Sequence, residues 1–145
     1  MNESAVGIAA LERLPFFAGL DRDDLEAILE AGHPVSFAAG ESLVERGDPG
    51  DAMYVVLSGA AEVDVGGRFH RIGEGGFLGE MAVLAGKKRQ ATVKAVEDVE
   101  ALQIPAEGFE ALLLGRPRIA LAIIKSMVER LREVQDRVDA WIGVW

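Results

Sequence analysis

The rhythm of apolar and polar positions changes twice along this chain. At the start it is helical. Residues 5–14 predict a short helix stopped by Pro15, and Asp21 is placed to cap a second over Arg22–Ala31. That second helix carries Leu25, Ile28 and Leu29 on one face, with Gly32 as its stop signal. Short segments separated by turn residues then take over: Ala39-Gly40, residues 47–51, Ser58-Gly59, Gly66-Gly67 and residues 73–76. Residues 53–57 read as a buried strand, and Ala61–Val65 alternates apolar with acidic, as a half-exposed strand does. Gly66-Gly67 predicts a hairpin to Arg68–Ile72, and residues 92–96 and 99–104 predict two more strands. Turns spaced in this way indicate a compact antiparallel barrel or jelly roll.

From Ala106 the pattern is helical again, first to Leu114 and then, past Gly115-Arg116-Pro117, over residues 118–144. In this last helix Leu121, Ile124, Val128, Leu131, Gln135, Val138, Ile142 and Trp145 alternate spacings of three and four, the a/d register of a coiled coil, and Met127, Val134 and Trp141 widen the stripe. A small barrel leaves so long a stripe uncovered, so the helix is expected to pair with its mate in a second copy of the chain. Gln135 would fix the register. The expected fold is α+β: an antiparallel β-roll with N-terminal helices and a long C-terminal helix. It divides into a helical segment at 1–32, a roll at 33–104, and a hinge helix with the long helix at 105–145, without internal repeat, linker or low-complexity tract.

Composition narrows the function. At 145 residues the chain holds one domain with a real core, and its 17 glycines suit a turn-rich β fold. It has no cysteine, which excludes disulfides, zinc-thiolate sites and thiol nucleophiles. His70 stands on a hairpin strand without a metal-ligand companion, so no metal site is expected. No triad, HExxH or Walker loop appears, and the chain reads as a binding module, not an enzyme. A net charge of −9 argues against a nucleic-acid partner. No apolar run is long enough to span a membrane and no secretory leader is recognisable, so the cytoplasm is the expected location. Against that acidic background Lys87-Lys88-Arg89 is the densest basic run.

Chemistry concentrates at residues 77–93, FLGEMAVLAGKKRQATV. A glycine-rich turn carries Glu80, and Arg89 follows just before a strand. Arginine offers a fork of donors that matches phosphate oxygens, whereas an ionised glutamate only accepts and suits a sugar hydroxyl. The pair resembles the phosphate-binding cassette of the cyclic nucleotide-binding domain family, here at 76–91. The likeness extends over about residues 11–138. It includes Leu14-Pro15-Phe16-Phe17, Gly40-Glu41, residues 45–54, Ser58-Gly59, Val63 and Ala91-Thr92-Val93, then Phe109, Leu112 and Pro117.

That resemblance implies a sensor that binds a cyclic nucleotide, with cAMP expected and cGMP left open, and passes occupancy to an unnamed protein partner through the last helix. No other cofactor is implied. Glu80 would accept from the ribose 2′-hydroxyl beside Gly79, which lacks a Cβ to obstruct the sugar. Arg89 would meet the cyclic phosphate, and amides near Ala82 and at Gln90-Ala91 would complete its cradle. Leu78, Met81 and Val63 are candidates for the wall beneath the base, and Gln135 and Asp136 for contacts to adenine. Each has a plainer competitor. Glu80 could serve a helix dipole, Arg89 could bridge Glu80, the apolar residues could be core, and Gln135 could be only a register residue. Gln90 stands where the family commonly has a small residue, and Lys88 replaces a common proline. Two alternatives stay open: a scaffold with an altered pocket, and the sensor half of a transcription regulator.

Overall fold

The computed structural model describes residues 8, 9, 11–14, 17–65 and 68–142. Expectations for residues 5–7, for Pro15, for the Gly66-Gly67 turn and for the side chains of Val138, Trp141, Ile142 and Trp145 lie outside the described residues. The elements run α1 (Arg22–Ala31), β1 (His33–Phe37), β2 (Ser42–Val44), β3 (Ala52–Ser58), β4 (Ala61–Val65), β5 (Arg68–Ile72) and β6 (Phe77–Leu78), followed by α2 (Glu80–Ala85), β7 (Thr92–Ala95), β8 (Val99–Pro105), α3 (Ala106–Gly115) and α4 (Pro117–Ile142). All the strand pairings are antiparallel and form two four-stranded sheets, ordered β1-β8-β3-β6 and β2-β7-β4-β5. The expected β-roll between N-terminal helical segments and a long C-terminal helix is what the chain forms.

β3 lies between β8 and β6 and is buried from Ala52 to Val56, because both of its faces are covered. Its alternation divides the core. Tyr54 and Val56 face the second sheet with Leu78, Val93 and Ala101. Met53 and Val55 face the helices with Leu25, Phe77, Leu102, Ile104 and Phe109. Three strands escape the periodic reading for physical reasons. β1 is an exposed edge strand containing Pro34. β2 and β6 have three and two residues, too few to show a period.

Asp21 caps α1 in a reciprocal box. Its Oδ1 accepts from the Asp24 amide at 2.9 Å, and the Asp21 amide donates to Asp24 Oδ2 at 3.3 Å. The Asp24 amide holds the Asp21 carboxyl below its ordinary range against the desolvation that opposes it, and Arg118, the Asp24 side chain and Arg116 add to the lowering. Gly32 ends α1 where the sequence placed its stop, in extended backbone and with its N–H donating to the Leu29 carbonyl. A Cβ there would lie 2.7 Å from the Gln103 carbonyl oxygen, and glycine is needed for the close approach to β8. Arg116 meets buried Asp24 at 3.6 Å and Arg118 meets Asp21 at 3.4 Å, tying the elbow before α4 to the start of α1.

α4 has two apolar faces. Ile119 and Ile123 are buried against the helical side of the core, with Met127 packed beside them. Leu121, Ile124, Val128 and Leu131 point away from it and are 48–56% exposed. Among the described residues no helix is long and apolar enough to cross a membrane.

Candidate ligand site

The turn from β6 into α2 and the loop from α2 to β7 enclose a cavity of about 350 Å3. That is within the range of small-molecule pockets, ~300–1,000 Å3. Its wall contains every cassette residue expected from sequence: Leu78, Gly79, Glu80, Met81, Ala82, Arg89, Gln90 and Ala91, together with Val63 from β4. Val63, Ile72, Leu78 and Val93 supply apolar surface, while Lys87, Lys88 and Arg89 bring positive charge. Leu78 is fully buried and also belongs to the inter-sheet core, so wall and core are one surface here. Met81 is largely exposed at the rim.

Two buried charges define the polar end. Glu80 is 1% exposed and Arg89 is 5% exposed. Charges removed from water in this way are costly unless they are engaged. Arg89 donates from Nη1 to the Gly79 carbonyl at 3.2 Å and from Nη2 to the Ala52 carbonyl at 2.5 Å. Its nearest carboxylate is Asp51, 3.7 Å away and itself 81% exposed in its side chain. Arg89 therefore does not bridge Glu80. Its charge is steadied by carbonyl dipoles and a solvated acid, which leaves it able to attract an anion.

Gly79 serves the arginine and not the sugar expected beside it. Gly79 has φ +86°, and a Cβ on it would sit 2.5 Å from Arg89 Nη1 and 3.0 Å from the Ala52 carbonyl oxygen. Glycine is required, but the space it leaves is filled by the arginine and not by a sugar. The same left-handed turn directs the first residue of α2, Glu80, into the cavity.

Glu80 is engaged from an unexpected direction. Arg130, midway along α4, donates from Nη1 to Glu80 Oε1 and from Nη2 to the Phe77 carbonyl at 2.8 Å. Its guanidinium carbon lies 4.8 Å from the centre of the Phe77 ring. Arg130 also lines the cavity. Glu80 Oε2 remains buried without a hydrogen-bond partner among the described residues. An unsatisfied buried carboxylate oxygen beside an open cavity is an acceptor site for a ligand's donor. Glu80 is thus more than an acid complementing a helix dipole.

Sequence reasoning missed Arg130. Its signal was an arginine in the inward stripe of the last helix, following Ile123 and Met127 at spacings of four and three. Gln135 and Asp136, the expected adenine contacts, do not reach the cavity; both are exposed. An α-helix turns ~100° per residue, so five residues beyond Arg130 the side chain points to another side. Gln135 follows the outward stripe instead. Among the described residues no cluster of His, Asp or Glu could hold a metal ion.

Residues 34–116 match the family model described as the cyclic nucleotide-binding domain. A candidate potassium channel protein of Rhodopseudomonas palustris is 35% identical over 122 residues, 81% of this chain and 30% of that protein. The catabolite activator protein of Thermus thermophilus superposes with a TM-score of 0.76 at 30% identity, covering 88% of this chain and 62% of that one. A structure described as Sp-2Cl-cAMPS bound to PKAR CBD2 has a TM-score of 0.73, with 99% of this chain and 97% of that one covered. At 20% identity it speaks for the fold alone. The chain spans less than a third of the channel relative.

Proposed function

Because the chain belongs to the cyclic nucleotide-binding domain family, we propose that it is a sensor module that binds one 3′,5′-cyclic nucleotide, with cAMP and cGMP both admitted by the family. The observation that carries this reading is the pairing of two buried, opposite charges on one cavity, Glu80 with an unpartnered oxygen and Arg89 without a buried counter-ion. The cyclic phosphate is met by Arg89 and the amides of Gln90 and Ala91, and the ribose 2′-hydroxyl donates to Glu80 Oε2. Val63, Leu78 and Ile72 take the apolar face of the base.

Occupancy is read by α4. The carboxylate offered to the ribose also holds Arg130, so filling the cavity changes the free energy of α4's position and shifts its population between placements. We infer that the outward face of α4 pairs with a second copy of the chain and that a further protein partner reads the position of the helix. A stand-alone scaffold is the second reading. It draws support from Arg89 and Glu80 already being engaged internally, by the carbonyls of Gly79 and Ala52 and by Arg130.

Calorimetric titration with cAMP and cGMP separates the two. The sensor reading expects binding that Arg89→Ala weakens by about 2–5 kcal/mol, the cost of truncating one member of a buried charge pair. No heat at millimolar ligand gives the case to the scaffold.

A further inference from the structure

The chain has four lysines, and two of them, Lys87 and Lys88, line the ligand cavity. Both are exposed, so they stand at its mouth and not at its floor. Neither forms an ion pair among the described residues. Their backbone is fixed all the same. The Lys87 amide donates to the Ala82 carbonyl at 3.0 Å, Lys88 forms an antiparallel bridge with Pro49, and the Arg89 amide donates to the Asp48 carbonyl at 2.8 Å. Gly50 permits this apposition, because a Cβ there would lie 2.7 Å from the Lys87 carbonyl oxygen. The loop that holds them carries Asp48 and Asp51, but neither acid lines the cavity.

The charge around these two cations decides what they can do. A chain with a net charge of −9 repels an anion from most directions. Inside the cavity the buried Arg89 already serves the phosphate end. An exposed ammonium adds little affinity by direct pairing, because water screens it and its flexible stem must be ordered. Its field nevertheless reaches about a Debye length, ~10 Å at 0.1 M salt. Two such charges beside one opening focus that field where an anion must enter.

From this placement, and resting on the cyclic-nucleotide reading above, we propose that Lys87 and Lys88 form an electrostatic entry funnel. They draw the anionic ligand to the cavity and set how fast it binds, not how long it stays. A ligand at the mouth and a ligand on Arg89 both lie within reach of the same two charges. The attraction is therefore gained before the last step of binding, and the barrier to release is unaltered by it.

Stopped-flow fluorescence on the 145-residue chain tests this with cAMP and cGMP analogues that carry a fluorophore on C8 of the base. Two double variants are compared, Lys87→Gln with Lys88→Gln and Lys94→Gln with Lys125→Gln. Each removes two positive charges from the chain, but the second pair lies away from the ligand cavity. At about 0.02 M salt the first pair should slow association about tenfold, the low end of steering effects, and leave dissociation within about twofold. The second pair should leave both rates within about twofold. Near 1 M salt, where the Debye length is ~3 Å, all three proteins should associate alike. All four lysines are exposed, so an unchanged Tm shows that each variant is folded. The funnel is overturned if the first pair slows association no more than the second, or if it acts by speeding dissociation. It is overturned equally if salt leaves the wild-type association rate unchanged. If neither analogue binds, or if binding survives Arg89→Ala undiminished, the cyclic-nucleotide reading falls and takes the funnel with it.

Discussion

Gly79, Glu80 and Arg89 are mutually dependent, and substitution of any one tests the others. Gly79→Ala would strain a left-handed backbone and displace the Arg89 guanidinium, at a cost of about 1–3 kcal/mol. Urea unfolding should show that loss, and calorimetry should show weaker nucleotide binding in the same variant. Glu80→Gln tests the sugar contact. Wild-type protein should prefer a ribose ligand to its 2′-deoxy counterpart by about tenfold, the worth of a hydrogen bond to a charged group; in the variant that preference should shrink to a fewfold. An unchanged preference would remove Glu80 from the ribose. These three residues were legible because a glycine, an acid and a basic run lie within one contiguous loop. Arg130 is 50 residues from its partner Glu80. Nothing local distinguishes it from the other arginines of a charged helix, apart from its place in the inward stripe.

Elements whose period could be counted were found close to their true limits. α1, β4 and β5 have the predicted bounds, and β3, β7, β8 and α3 differ by only a residue at one end or at each end. Short or edge strands such as β1, β2 and β6 are held by their neighbours and carry no rhythm of their own. The capping of α1 gives a pH-dependent expectation. The Asp21 carboxyl has a lowered pKa in the folded chain, so its stabilisation is present above the unfolded aspartate pKa and is lost as pH falls through the folded one. Asp21→Ala should therefore lower Tm at neutral pH, and the difference should close in acid. For α4, Leu131→Glu places a charge in the middle of the outward apolar face. Sedimentation should show a dimer at tens of micromolar for the wild type and a monomer for the variant. A wild-type monomer would leave that face without the proposed partner.

Across the whole molecule the two halves of the core meet at β3, with Tyr54 on one side and Met53 on the other. The cavity lies where β6, α2 and β7 border this doubly buried sheet. Ligand bound there stabilises the folded state as a unit. At a hundredfold excess over the wild-type Kd, thermal unfolding should report about 2.7 kcal/mol of added stability, falling below about 1 kcal/mol for Arg89→Ala at the same concentration. α4 adds a geometric consequence. It is one unbroken 26-residue helix pinned at its elbow by Arg116 and Arg118, with Arg130 near its midpoint, about 20 Å from the pivot at ~1.5 Å per residue. A tilt that carries Arg130 about 3 Å from Glu80 swings the far tip about 6 Å, since displacement along a rigid rod grows in proportion to its radius. The helix is thus a lever that doubles, at its far end, whatever travel its midpoint is allowed.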